Sequence, residues 1–224
     1  MENYDSDIDY MSTPPLDNTL SVMVVDDHPS MLMGMVSLIE AQADMEIVAQ
    51  ANSGQEAIDL YAEKRPDIVL MDLRMPGQIG GVEAIIGICK GDPEARVIVL
   101  STYDFDEDIY RAIQSGAKSY LLKDMSIDQI ASTIREVYKG NSTLPATVAE
   151  RLSERSTRKQ LTERERDVLK ALIKGRSNKE IAASLFISED TVKSHLKTLF
   201  AKLNVHDRTE AAISAIRHGI IHLD

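Results

Sequence analysis

The sequence predicts two folds in one chain: a doubly wound α/β domain on a five-stranded parallel sheet, then a small all-α domain of four helices. Three observations carry this. Short, continuously apolar, β-branched runs alternate with amphipathic helical stretches from residue 20 to about 139. From residue 161 onward the chain reads as helices separated by caps, a glycine stop and short turns. The charge divides at the same place. Residues 1–156 hold 12 Lys and Arg against 27 Asp and Glu, a net −15, whereas residues 157–224 hold 13 against 9, a net +4.

The first 19 residues carry five acids and no Lys or Arg, the opposite of a signal peptide's leading segment, and are expected to be a disordered acidic tail. The strands follow as SVMVV (21–25), EIVAQ (46–50), DIVLM (67–71), ARVIVL (95–100) and KSYLL (118–122), with helices near 30–42, 54–64, 81–90, 105–115 and 126–139. Strands that are apolar throughout are buried on both faces, so helices must cover both sides of a parallel sheet. Residues 140–156 mix Gly, Ser, Thr and Pro with charges and read as a linker with a short helix in its middle, able to let one domain move on the other.

The second domain, 157–222, opens with Thr162 and Glu165 in a capping box, and its first helix stops at Gly175. Ser177 starts the second helix, Ser188 caps a third over 189–203 after a tight turn, and Asp207 caps the fourth. Two helices joined by so short a turn form a helix-turn-helix. On the third helix Val192, Leu196, Leu199 and Leu203 share one face. The other face presents Lys193, Ser194, Lys197, Thr198 and Ala201, two lysines among small side chains, a surface that fits a DNA major groove.

In a doubly wound sheet the functional site lies at the carboxyl ends of the strands. The sequence places Asp26 and Asp27 after the first strand, Asp72 after the third, Ser101 and Thr102 after the fourth and Lys123 after the fifth. Three carboxylates beside a single lysine are too anionic to stand alone, and Mg²⁺ with oxygen ligands is the natural complement. The rival reading is an Mg²⁺-dependent phosphohydrolase of the haloacid-dehalogenase type, but such enzymes space two aspartates as Asp-x-Asp after the first strand, whereas Asp26 and Asp27 are adjacent.

VVDDHP, DIVLMDLRMPG, VIVLST and GAKSYLLKD, in this order and spacing, resemble CheY-like receiver domains, and SNKEIAASLFISEDTVKSHL resembles the LuxR-type helix-turn-helix. Together they are similar to two-component response regulators of the NarL/FixJ class, over nearly the whole chain outside tail and linker. The resemblance implies a flavodoxin-like sheet of order 2-1-3-4-5 and a transcriptional regulator, not an enzyme. It implies that Asp72 accepts a phosphoryl group from a sensor histidine kinase. Asp26, Asp27, Asp72 and the Arg74 backbone carbonyl would hold Mg²⁺, while Ser101, Tyr120 and Lys123 would respond to the phosphate. Lys193, Ser194 and Lys197 would contact promoter DNA in a homodimer, after phosphorylation relieves masking of the third helix by the receiver. One departure is the stretch GQIGGVEAI after Pro76, which is longer than the usual turn and lacks its acid, and is expected to leave that loop more mobile.

The chain has no apolar run long enough to span a membrane, so a cytoplasmic protein without membrane contact is expected. Cys89 is its single cysteine, which excludes an intrachain disulfide and a thiolate metal cluster.

Overall fold

The computed structural model describes residues 19–156 and 158–222, so the tail expected over 1–19 lies, apart from Thr19, outside the described residues. The first domain runs β1 (Leu20–Val25), α1 (Pro29–Glu40), β2 (Met45–Ala51), α2 (Gly54–Lys64), β3 (Ile68–Asp72), α3 (Gly81–Gly91), β4 (Val97–Ser101), α4 (Asp106–Gln114), β5 (Ser119–Leu122) and α5 (Ile127–Tyr138). Then come α6 (Ala146–Ser156), α7 (Glu163–Ile173), α8 (Asn178–Leu185), α9 (Glu189–Leu203) and α10 (Arg208–Arg217).

The sheet has the order β2-β1-β3-β4-β5, as the sequence implied, and every pairing is parallel. All five residues of β3 and all five of β4 are buried, which is why these strands are apolar without alternation. The pleat divides them between two cores. Met23, Val25, Val69, Met71, Val97 and Val99 pack with α2, α3 and α4, whereas Val22, Val24, Ile68, Leu70, Ile98 and Leu100 pack with α1 and α5.

Local chemistry sets the helix ends. Ser53 accepts from the Glu56 N–H, and Ser126 with Gln129, Thr162 with Glu165 and Ser177 with Glu180 form reciprocal capping boxes. Gly175 takes φ +76 behind α7, the left-handed geometry that the sequence assigned to a stop. In the last domain Leu169, Leu199, Leu203, Ala211 and Ala215 form one core, and Val168, Ile181, Val192 and Leu196 another, so the apolar face read on α9 is the buried one.

The region read as a linker is tied down. Ser142 Oγ donates to the Lys118 carbonyl (2.9 Å), Ser119 Oγ donates to the Thr143 carbonyl (2.5 Å), and α6 lies against α4 with Val148 fully buried. The long turn after Pro76 is held at both sides: Met75 is buried, Ile79 packs on the core, and Pro76, Gly77 and Gln78 are exposed.

Gly81 begins α3 directly beneath the end of β3, where an added Cβ would stand 2.2 Å from the Asp72 carbonyl oxygen and 2.6 Å from Leu73 Cα. Gly81→Ala is expected to cost about 3 kcal/mol, because backbone rather than a side chain must yield. The exposed helical Gly34, with nothing within 4 Å of an added Cβ, should gain about 1 kcal/mol as Ala. Urea denaturation of both variants checks the pair, and equal stabilities would contradict the tight approach at Gly81.

Candidate functional site

Parallel register delivers the functional side chains to one edge of the sheet. Asp72 pairs with Leu100 and Ser101 with Leu122, so the ends of β3, β4 and β5 lie level, and β1 ends just before Asp26. Lys123 reaches across these ends, its Nζ 2.6 Å from Asp26 Oδ2 and 2.8 Å from Asp72 Oδ1. Both carboxylates are buried. Burial pushes the Asp72 carboxyl up from its ordinary 3.8, with Lys123 opposing and Asp26 reinforcing the shift. Burial works against the Lys123 charge too, yet its bonds to Asp26 and Asp72 outweigh that and raise the ammonium above 10.5.

The residues present suit a hard cation. Asp26, Asp27 and His28 bring donor atoms within 4.8 Å of one another. Asp27 Oδ1 is buried without a hydrogen bond of acceptable geometry, although His28 Nδ1 lies 2.9 Å away. An unmet carboxylate oxygen beside two further carboxylates is a demand for positive charge, and oxygen donors match Mg²⁺. The Arg74 backbone N–H donates to Asp72 Oδ2 (3.0 Å), which holds the loop behind β3 close to the acid.

The other predicted groups divide. Ser101 is buried at the end of β4, where its Oγ accepts from the Tyr103 N–H (3.1 Å), and Thr102 is exposed. Tyr120 is fully buried, with its hydroxyl donating to the Tyr103 carbonyl (2.8 Å), and burial pushes the phenol well above its ordinary 10.0. A cavity of about 460 Å³ opens over Asp72, Ser101, Thr102 and Lys123, with Arg74 and Tyr103 at its side and His28 and Met31 on its wall.

Sequence reasoning missed a second acidic centre. Asp106, Glu107 and Asp108 open α4 and are all buried, against arginine and histidine side chains from elsewhere in the chain. Arg158 Nη2 lies 2.6 Å from Asp106 Oδ2 and His218 Nδ1 lies 3.3 Å away. Glu107 is paired with the buried Arg155 and with Arg166 (2.8 Å). Asp108 meets Arg74 (3.3 Å) and His222 (3.0 Å). Asp106 keeps its carboxyl below 3.8, because bonds to His218 and Arg158 outweigh the burial that opposes them. Three consecutive acids followed by scattered basic residues were the available signal, and a sequence does not say which basic residue meets which acid.

That docking corrects the expected masking of the third helix. Lys193, Ser194, Lys197, Thr198 and Ala201 are all exposed on α9. The first domain grips the start of α7 through Arg166 and the segment behind α10 through His218 and His222, because the acids of α4 seek arginine and histidine there. On the open face Lys193 pairs with Asp190 (2.9 Å), whereas Lys202, further along, is engaged with the buried Glu165 (2.7 Å) and serves the fold.

Comparison with known proteins finds a family for each of the two domains. The family described as "Response regulator receiver domain" matches residues 22–135, and that described as "Bacterial regulatory proteins, luxR family" matches 159–215. The chain is 39% identical over 207 residues to the response regulator protein VraR of Staphylococcus epidermidis, covering 90% of this chain and 99% of that one. It is 37% identical over 211 residues to the transcriptional regulatory protein LiaR of Bacillus subtilis, covering 91% and 100%. Among solved structures, the response regulator ChrA of a heme-sensing two-component system is 35% identical with a TM-score of 0.55, covering 91% of this chain and all of that one. RcsB in complex with DNA shares the fold at 24% identity with a TM-score of 0.65, covering 88% and 98%. Among the described residues no helix is long and apolar enough to cross a membrane.

Lys123→Met would leave Asp26 and Asp72 buried without their cation and should cost about 3 kcal/mol at pH 7. Folding raises the Asp72 carboxyl, so folding favours its protonated form, and that contribution is lost as pH rises through the folded value. Lys123, raised above 10.5, stays charged across the neutral range. The deficit of the variant should therefore narrow between pH 7 and pH 5, and also on adding Mg²⁺ at pH 7. Urea midpoints at the two pH values check this, and a deficit independent of pH would show that the loss is packing alone.

Proposed function

The chain belongs to the response regulators that join a receiver domain to a LuxR-type DNA-binding domain, and from that premise we propose that Asp72 is its phosphoacceptor. The single observation that carries this is Lys123 bridging Asp26 and Asp72 at the ends of β1, β3 and β5, beneath an open cavity. In this reading the receiver spans 20–139, the connection 140–156 and the output domain 157–222.

The donor is the phosphohistidine of a sensor kinase. An Asp72 oxygen attacks phosphorus, the new O–P bond forms as the P–N bond breaks, and the imidazole leaves and takes up a proton. Asp26, Asp27, Asp72 and the Arg74 carbonyl are the groups that would hold Mg²⁺, which when bound offsets the charge gathering on the phosphoryl oxygens. Lys123 trades part of its hold on Asp72 for a phosphoryl oxygen, and Ser101 turns its hydroxyl from the Tyr103 amide to another. Tyr120, buried beneath Tyr103, fills the space that Ser101 leaves.

The output is binding of promoter DNA by the open face of α9, with Lys193, Ser194 and Lys197 toward the groove. Since that face is already exposed, phosphorylation acts by releasing the output domain from α4 so that two copies can pair on a site. Ile213 and Ile216, exposed on α10, offer apolar surface for that pairing. The work is cytoplasmic, next to the kinase and the DNA.

Two experiments test the reading. Acetyl phosphate with Mg²⁺ should label the parent protein at one site and leave Asp72→Asn unlabelled, as followed by phosphate-affinity electrophoresis. Equal labelling of the two would move the acceptor elsewhere. Lys193→Ala and Lys197→Ala should each weaken specific DNA binding by about 1–3 kcal/mol where the lysine reads a base edge. A lysine touching only phosphate should weaken binding to all sequences and flatten the salt dependence. Unchanged affinity in both variants, measured by fluorescence anisotropy, would make the basic face an ordinary solvated one.

A further inference from the structure

Arg74 stands in two places at once. Its backbone N–H holds Asp72 Oδ2 at 3.0 Å, two residues from the acid. Its side chain turns away, along the ring of Tyr103 with the guanidinium carbon 3.7 Å from the ring centroid, toward Phe105 at 5.3 Å. The guanidinium ends between the two domains, with Nη2 3.3 Å from Asp108 Oδ2 and 2.8 Å from His222 Nδ1. His222 closes the set with Nε2, 3.0 Å from Asp108 Oδ1. A neutral ring with its proton on Nε2 satisfies both contacts: Nδ1 accepts from Arg74 and Nε2 donates to Asp108. Phe105 stacks on His222 with centroids 6.0 Å apart, and Gly219 lies so close that an added Cβ would be 2.7 Å from Phe105 Cβ.

We propose that Arg74 couples the occupancy of the acidic pocket to the docking of the C-terminal segment, as a positioning residue that answers to Asp72 through its backbone and to His222 and Asp108 through its side chain. The inference rests on the reading of Asp72 as phosphoacceptor and adds the route by which the output domain senses it. The docked arrangement leaves Arg74 Nε buried and without a partner. The side chain is therefore not fully satisfied where it lies, as befits a group with a second position. A phosphoryl group on Asp72 competes for the oxygen that the Arg74 N–H now holds, and the loop from Leu73 to Met75 must adjust. The guanidinium is held at its far end over the Tyr103 ring and by two acceptors, so it cannot follow that adjustment and keep all three. Loading the pocket thus loosens His222. Linkage makes the effect reciprocal, so loosening His222 tightens the loaded pocket by the same factor.

The test uses the full-length protein with beryllofluoride and Mg²⁺ as the phosphoryl mimic, followed by calorimetric titration, with amide hydrogen exchange across residues 105–111 reporting the docking. His222→Ala touches no atom of the pocket. It should nevertheless bind beryllofluoride about 5-fold more tightly than the parent and speed exchange in α4. Beryllofluoride should speed exchange there in the parent. In an Arg74→Ala background, which keeps the backbone N–H, adding His222→Ala should produce no further gain. Asp108→Asn, a second way to loosen the same contact, should reproduce the tighter binding. An affinity within twofold of the parent for both His222→Ala and Asp108→Asn overturns the coupling, as does an undiminished gain in the Arg74→Ala background. Failure of beryllofluoride to bind the parent any better than Asp72→Asn would instead overturn the phosphoacceptor reading, and the coupling with it.

Discussion

The structure depends on the treatment of buried carboxylates. A carboxylate taken out of water is expensive unless a cation and hydrogen-bond donors come with it. This chain meets that constraint twice, on neighbouring strand ends, and in different ways. At the end of β1 and β3 the cation is internal to the sheet, since Lys123 follows β5 and spans Asp26 and Asp72. At the start of α4 the partners come from beyond the sheet, as Arg155, Arg158, Arg166, His218 and His222 converge on Asp106, Glu107 and Asp108. The first solution makes a site, and the second makes an interface. Arg74 belongs to both.

The glycine at the start of α3 shows how tightly backbone geometry serves the first solution. Gly81 donates its N–H to the Leu73 carbonyl at 3.1 Å, and its missing Cβ lets the helix begin against the strand end. Asp72 therefore sits at the floor of the cavity, with the following loop turned back over it rather than standing away. The length of that loop, unusual in the sequence, is absorbed by Met75 and Ile79 entering the core on either side of an exposed tip.

Much of this was legible in the sequence because it follows from period and local capping. The five strands announce themselves as unbroken apolar runs, and their carboxyl ends fix where Asp26, Asp72, Ser101 and Lys123 must stand once the sheet is parallel. The helices of the second domain are written in Thr162, Ser177, Ser188 and Asp207, each accepting a backbone N–H in the first turn. What could not be read was long-range and electrostatic. Asp106 and Arg158 are 52 residues apart, and Arg74 and His222 are 148 apart, separations for which neither propensity nor pattern carries information. Masking of α9 was the wrong inference for the same reason: it assumed which surface the receiver would cover, and the acids of α4 chose arginine and histidine on α7 and behind α10 instead.

The chemistry of that interface bears on whether it can open. A face of leucine and valine between the domains would gain on every square ångström buried and hold them together. Pairs such as Arg166 with Glu107 lose hydration on docking nearly as much as they gain in attraction, so an interface built from them lies close to balance. A two-state equilibrium near balance is what a small local change can shift, because the shift available equals only the difference in affinity for the two states. Here Val148, buried beside α4, anchors the connection to the receiver by apolar contact, while the acids, arginines and histidines hold the output domain. On the reading proposed for Asp72, a receiver that holds its partner by charge can let it go when that charge changes.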